Sequence, residues 1–168
     1  LQGKTLLELG TGSGAISISI AQENKDCFIF ATDISIKSIL VAKQNAEKFC
    51  CENIIFLNHD WNNEWLFPQV DYLISNPPYV DKEATTGKEE GIWHEPEKAL
   101  FSKDKGLSDL KLILSKGKNF LNENGKVYLE HAPDQYEELN KFAMENGYSN
   151  FSNLNDLNGD KRVSVYQC

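Results

Sequence analysis

Thr5 to Leu9 is a short apolar run that passes directly into Gly10-Thr11-Gly12-Ser13-Gly14, and Ala15 to Gln22 follows with apolar residues at Ile16, Ile18, Ile20 and Ala21. This is strand, glycine loop, helix, and the pattern repeats. Cys27 to Ala31 is a second buried-strand run ending at Thr32-Asp33, and Ser35 to Phe49 has helical spacing through Ile36, Ile39, Leu40, Ala42 and Ala46. Ile54 to Leu57 is a third strand, ending near His59-Asp60-Trp61; Val70 to Ser75 is a fourth and delivers the chain to Asn76. Strands alternating with helices predict a doubly wound, mostly parallel α/β sheet. Further on, the spacing predicts a helix over Gly106 to Leu121, a turn at Asn124-Gly125, a strand from Lys126 to Glu130 and a helix from Pro133 to Asn146 closed by Gly147. Tyr148 to Leu157 and Arg162 to Gln167, joined around Asn158-Gly159-Asp160, read as a terminal hairpin, which adds an antiparallel strand.

A chain of 168 residues suits one domain and can bury a full core without covalent staples. Cys27, Cys50, Cys51 and Cys168 show neither CxxC pairing nor zinc-ligand spacing, so a disulfide framework or a metal site is not expected and a reducing, cytoplasmic compartment is. Nothing in the chain has the length of a membrane span or the pattern of a secretion signal. The net charge is −8, with 25 acidic residues against 17 basic ones, and Arg162 is the single arginine. Nucleic-acid binders ordinarily present a basic face. The acidity therefore leans towards a small-molecule or protein partner and leaves RNA open.

Open α/β sheets bind ligands beyond the carboxyl ends of their strands. Gly10, Asp33, Asp60-Trp61 and Asn76 end the first four strands and are expected to share one crevice. The loop Gly10, Thr11, Gly12, Ser13, Gly14 lets the backbone approach a ligand closely while the helix start offers free donors. Its GxGxG form departs from the GxGxxG of dinucleotide sites and is more typical of sites for S-adenosylmethionine (SAM). Asp33, nineteen residues after Gly14, stands where a carboxylate accepts ribose hydroxyls; it could also cap the next helix, but Ser35 is an equally good cap. Trp61 lies where an adenine ring would sit, with Asp60 able to meet the base's amino group, although a bulky aromatic there also serves as a lid on a core.

Asn76-Pro77-Pro78-Tyr79 is the candidate reacting end. Pro77 and Pro78 have no backbone donor and fixed φ, so the ladder stops and the chain leaves in an extended path. An amide or aromatic amine is a poor nucleophile because its lone pair is delocalised. If the Asn76 side-chain oxygen and the Pro77 carbonyl each take one N–H, that lone pair turns towards a methyl donor, while Tyr79 lies against the planar group and excludes water. His59, His94 and His131 share no ligand spacing, and a direct in-line transfer needs no nucleophile from the protein.

The chain resembles the class I SAM-dependent methyltransferases, and more narrowly the HemK/PrmC family, which methylates a glutamine amide in peptide-chain release factors. The resemblance is carried by LELGTGSGAISI at Leu6 to Ile18, ATDIS at Ala31 to Ser35, HDW at His59 to Trp61 and SNPPYV at Ser75 to Val80. HEPEKAL at His94 to Leu100, the Gly106-Leu107 helix start, LEH at Leu129 to His131 and DLNGDKR at Asp156 to Arg162 complete it. It implies a seven-stranded, Rossmann-like catalytic domain over residues 1–168 that uses SAM, releases S-adenosylhomocysteine and needs no metal. Gly10 to Gly14 would line the methionine part, Asp33 would hold the ribose, Trp61 would lie on the adenine, and Asn76 to Tyr79 would clamp the glutamine of a Gly-Gly-Gln loop. Glu95 and Pro96 would shape the pocket wall. The family's helical N-terminal docking domain is absent from these residues, and Ala132 stands where the family usually has glycine. Alternatives of the same chemistry are a ribosomal-protein glutamine methyltransferase and an adenine amino-methyltransferase. A module that binds SAM without transferring anything is the alternative of a different class.

Overall fold

The computed structural model describes residues 1–81, 101–104 and 106–168. HEPEKAL, with Glu95 and Pro96, lies outside the described residues.

β1 (Thr5–Leu9) buries Leu6, Leu7, Glu8 and Leu9 in succession, as a central strand covered on both faces must. Three glycines at positive φ, Gly10, Gly12 and Gly14, turn the chain into α1 (Ala15–Glu23). β2 (Phe28–Asp33) follows, then α2 (Ile36–Lys48), which turns Ile39, Ala42 and Ala46 inward; Ser35 caps it, its side chain accepting the Ser38 N–H at 3.2 Å. β3 (Ile54–Asn58) and β4 (Val70–Ser75) complete the first series. β5 (Val80–Asp81) pairs with β6 (Phe101–Ser102) in a small parallel sheet of its own. α3 (Ser108–Gly117), a 3₁₀ turn (Lys118–Phe120), β7 (Leu121–Glu130), α4 (Tyr136–Glu145), β8 (Asn150–Asn155) and β9 (Lys161–Gln167) finish the chain.

The main sheet has seven strands in the order β3-β2-β1-β4-β7-β9-β8. The chain builds outward from β1 to β3 and then resumes at β4 on the other side of β1, so the strand order reverses between β1 and β4. β1 runs parallel to both β2 and β4, and β2 runs parallel to β3; Leu9 is level with Thr32 and with Ser75, and Asp33 with Asn58. The carboxyl ends of the first four strands are thereby aligned along one edge. β8 and β9 are the expected antiparallel hairpin, with an irregularity at Leu154/Asn155.

Three element boundaries differ clearly from the sequence reading. The helix expected to reach Leu121 ends at Gly117, and β7 begins at Leu121 rather than Lys126. Asn119, Asn122 and Asn124 offer the backbone alternatives to helical bonds, and Asn124 at φ 63 folds tightly against Gly125, where a Cβ would lie 2.8 Å from the Asn122 carbonyl. The helix expected from Pro133 starts only at Tyr136, because Ala132 to Gln135 form a turn closed by Gln135 N–H to Ala132 O. Its end is as expected: Gly147 has φ 80, and the Tyr148 and Gly147 N–H groups return to the Ala143 and Met144 carbonyls.

The contacts divide the chain into two compact units. One comprises Leu1–Ser75 with Asn119–Lys126. Its core gathers Leu6, Ile18, Ala21, Cys27, Ile29 and Ala46, with Ile54, Phe56 and Ile74 packed on them. The other comprises Asn76–Lys118 with Val127–Cys168, and buries Leu110, Ile113, Leu114, Leu129, Leu139 and Tyr166. There the Tyr148 hydroxyl donates to the Leu114 carbonyl at 2.8 Å, tying the hairpin to α3. All four cysteines are free thiols, and no helix among the described residues is long and apolar enough to cross a membrane.

Candidate active site

The glycine loop is held by its neighbours at nearly every residue. Thr11 N–H donates to the Thr32 carbonyl at 2.8 Å, Gly14 N–H to Thr11 O at 2.9 Å, and Asn45 on α2 donates its amide to Ser13 O at 2.9 Å. Gly12 N–H donates to Asp33 Oδ2 at 2.8 Å. Asp33 Oδ1 meanwhile accepts the Ser35 N–H at 2.8 Å, so this carboxylate ties the loop after β1 to the bend after β2. Asn58 steadies the same bend by donating to the Asp33 and Ile34 carbonyls at 2.9 and 2.8 Å.

Beneath the loop lies Glu8, a buried carboxylate that the sequence reading passed over. Its Oε2 accepts the Thr11 hydroxyl at 2.6 Å and the Ser17 hydroxyl from the first turn of α1. Burial pushes the Glu8 carboxyl up, the two hydroxyls pull it back down, and the Asp33 charge adds to the rise. The signal was available: a charged residue inside an apolar strand run must find partners or stay protonated.

The loop fits a ligand that presses on its backbone. A Cβ on Gly14 would come within 3.0 Å of Ile18 and 3.1 Å of Ala42, so that glycine serves the packing of α1 on α2. A Cβ on Gly12 would meet nothing within 4 Å, yet φ is 55. The space before Gly12 is open, and the charged groups bonded to this turn and its supporting bend are carboxylates, a suitable setting for a cation. Asp60 and Trp61 follow β3: Asp60 Oδ1 accepts the Asn62 backbone and side-chain N–H at 2.9 and 2.8 Å, and the Trp61 carbonyl accepts the indole N–H of buried Trp65 at 2.8 Å. Trp61 itself is half-buried.

β4 is anchored at its end by Ser75, whose hydroxyl donates to Leu9 O at 2.8 Å. The next residue, Asn76, is exposed, while Pro77 and Pro78 are buried and Tyr79 half-buried. Within its own unit, Tyr79 is bonded through both its carbonyl and its hydroxyl, the latter donating to Glu130 Oε1 at 3.1 Å and accepting from Arg162 at 3.0 Å. His131 is a satisfied structural side chain. Its Nδ1–H donates to Ala132 O at 2.7 Å, its Nε2 pairs with the Ser164 hydroxyl at 2.8 Å, and burial lowers its pKa, keeping the ring neutral. Among the described residues no three side chains of the metal-ligating types cluster.

Solved structures share this architecture. A methyltransferase from Pyrococcus furiosus superposes with a TM-score of 0.73 at 20% identity, covering 99% of this chain and 75% of that one. TrmN from Thermus thermophilus gives 0.69 at 24% identity, covering 99% and 44%. The seven-stranded sheet, with its order reversing beside the glycine loop, is thus the fold of the class I SAM-dependent methyltransferases. Residues 1–105 match the methyltransferase small domain, and the chain belongs to that family. It is similar to the release factor glutamine methyltransferase of Salmonella typhimurium, 33% identical over 159 residues, covering 95% of this chain and 57% of that protein. The bifunctional methyltransferase of Rickettsia felis is 37% identical over 163 residues, covering 96% of this chain and 31% of that protein. The chain therefore spans about a third to three-fifths of the length of these relatives.

Proposed function

We propose that this chain transfers a methyl group from SAM to the side-chain amide nitrogen of a protein glutamine, with the Gly-Gly-Gln loop of peptide-chain release factors as the substrate. The observation that carries it is Asn76: an exposed amide between the anchored Ser75 and two buried prolines, at the end of a strand beside the glycine-loop strand. An exposed acceptor set between an anchored strand end and two buried prolines is what a planar amide needs. The 33% identity to a release factor glutamine methyltransferase supports the choice of substrate, and the net charge of −8 favours protein over nucleic acid.

When bound, SAM supplies a methyl group on a positive sulfur, which leaves as a neutral thioether. Gly10 to Gly14 line its methionine end, with Gly12 giving the close approach, and the nearby carboxylates suit its charge. Asp33 uses one lone pair on each oxygen for Gly12 and Ser35, and a carboxylate has about four. The remainder accept the ribose hydroxyls. Trp61 and Asp60 serve the adenine. Asn76 Oδ1 and the Pro77 carbonyl accept the two N–H groups of the glutamine amide and turn its lone pair towards the methyl; Tyr79 covers the planar group. The proton lost after transfer passes to water. Free cysteines suit a cytoplasmic site of action.

The test is to incubate the chain with methyl-labelled SAM and, in parallel, an unmodified release factor, a ribosomal protein and an oligonucleotide. Label on the release-factor glutamine is expected. Label confined to the oligonucleotide would overturn the proposal.

A further inference from the structure

An exposed acceptor at Asn76 is useful only if the segment behind it is rigid, and residues from three separate stretches of the chain surround that segment at Tyr79. Buried Gln135 donates from Nε2 to the Tyr79 carbonyl at 2.9 Å, while its Oε1 accepts the Ala132 N–H at 2.9 Å, so this amide is itself fixed at both ends. Gly106 lies against the same carbonyl. A Cβ there would stand 2.0 Å from Tyr79 O and 2.6 Å from Gln135 Nε2, at φ +82, so the position has no room for a side chain. At the other end of the residue, the Tyr79 hydroxyl donates to Glu130 Oε1 and accepts from Arg162, whose guanidinium carbon lies 5.3 Å from the Tyr79 ring centroid. Burial is the largest influence raising the phenol pKa, so the hydroxyl keeps the proton it donates.

Both contacts bear on chemistry. A carbonyl held by Gln135 and crowded by Gly106 fixes the backbone behind Asn76, and a ring whose hydroxyl is held between Glu130 and Arg162 presents one face at one angle. We propose that Gln135 and Arg162 are positioning residues for the acceptor amide: Gln135 fixes the Tyr79 carbonyl and with it the path of the backbone after Asn76, and Arg162, which meets Glu130 at the Tyr79 hydroxyl, sets the plane of the Tyr79 ring. Arg162 is the single arginine in the chain, and its planar fork can meet a hydroxyl and a ring face together, which a lysine does less well. This rests on the glutamine reading above.

The variants Gln135→Ala, Arg162→Ala and Arg162→Lys separate the possibilities, each checked first for its melting temperature. SAM affinity by titration should stay within about twofold of wild type, because the cofactor groups are elsewhere, while kcat on the release factor falls about tenfold or more in Gln135→Ala and Arg162→Ala. Arg162→Lys should recover part of that loss. A readout independent of activity is fluorine NMR of 3-fluorotyrosine-labelled protein, with Tyr79 assigned through Tyr79→Phe: its resonance should move in Arg162→Ala. Transfer unchanged in Gln135→Ala and Arg162→Ala, or an unmoved Tyr79 resonance, overturns the inference. So does a loss of transfer that only tracks losses of SAM affinity and melting temperature. If wild type modifies no glutamine at all, the functional reading fails, and the Tyr79 resonance still decides whether Arg162 sets the ring.

Discussion

Asp33 Oδ2 accepts the backbone N–H of Gly12 at 2.8 Å, across twenty-one positions of sequence. The residue read as a ribose acceptor is therefore also the support of the turn read as the methionine cradle. Replacing Asp33 by Ala removes both functions together. SAM affinity should fall by roughly 1 to 3 kcal/mol, the range for losing hydrogen bonds to a charged group, as measured by isothermal titration. Unaltered affinity would remove Asp33 from the binding site.

Gly12 and Gly14 both have positive φ but differ in what lies around them. Gly12→Ala meets open space, so its cost to folding is the left-handed backbone alone, roughly 1 to 2 kcal/mol. Gly14→Ala adds contacts at 3.0 and 3.1 Å to that strain and should destabilise more. Urea unfolding ranks the pair, and titration with SAM should show Gly12→Ala binding weakly although it folds. Normal SAM binding by Gly12→Ala would mean that no ligand approaches this backbone.

Glu8→Ala leaves the Thr11 and Ser17 hydroxyls without their carboxylate. The cost of such orphaned buried groups is about 1 to 3 kcal/mol, and SAM affinity should fall with it because the loop loses its floor. A urea midpoint equal to wild type would show that the hydroxyls find other partners.

Asn76→Ala should abolish transfer while leaving SAM affinity within about tenfold, since the lost acceptor acts on the target amide. The measurement is single-turnover transfer beside a SAM titration. If SAM affinity collapsed and transfer per bound SAM survived, the two ends of the site would have to be exchanged.

His131 gives a pH dependence with a definite sign. Burial lowers its pKa in the folded chain, so the unfolded chain takes up the proton first. Its contribution to stability is complete above the unfolded value of about 6.5 and is lost as the pH falls towards the lower folded value. Denaturant unfolding at a series of pH values should show that decline in wild type and a weaker one in His131→Gln. Identical pH profiles for the two proteins would contradict a buried neutral imidazole.

Much of this architecture could be read from residue order. Apolar runs ending near Gly10, Asp33, Asp60 and Asn76, the first three separated by helical spacing, are enough to set a parallel sheet with its polar ends on one edge, because strand and helix periods are local properties of the chain. The terminal hairpin and the Ser35 cap were legible for the same reason. Boundaries set by tight turns were not: the early start of β7 depends on Asn124 adopting φ 63, which many asparagines never do.

The partners of the site residues belong to the tertiary structure alone. Glu8 under the loop, Asn45 on Ser13, and Gln135, Gly106, Glu130 and Arg162 around Tyr79 lie up to 83 positions from the atoms they hold. A hydrogen bond depends on angles and on tenths of an ångström, and no spacing rule encodes those. Sequence determined which residues stand at the strand ends and what chemistry they can perform. Only the fold decided which of their atoms are already engaged: Asp33 shares its carboxylate with the loop, Tyr79 gives up its carbonyl to Gln135, and Asn76 stands exposed.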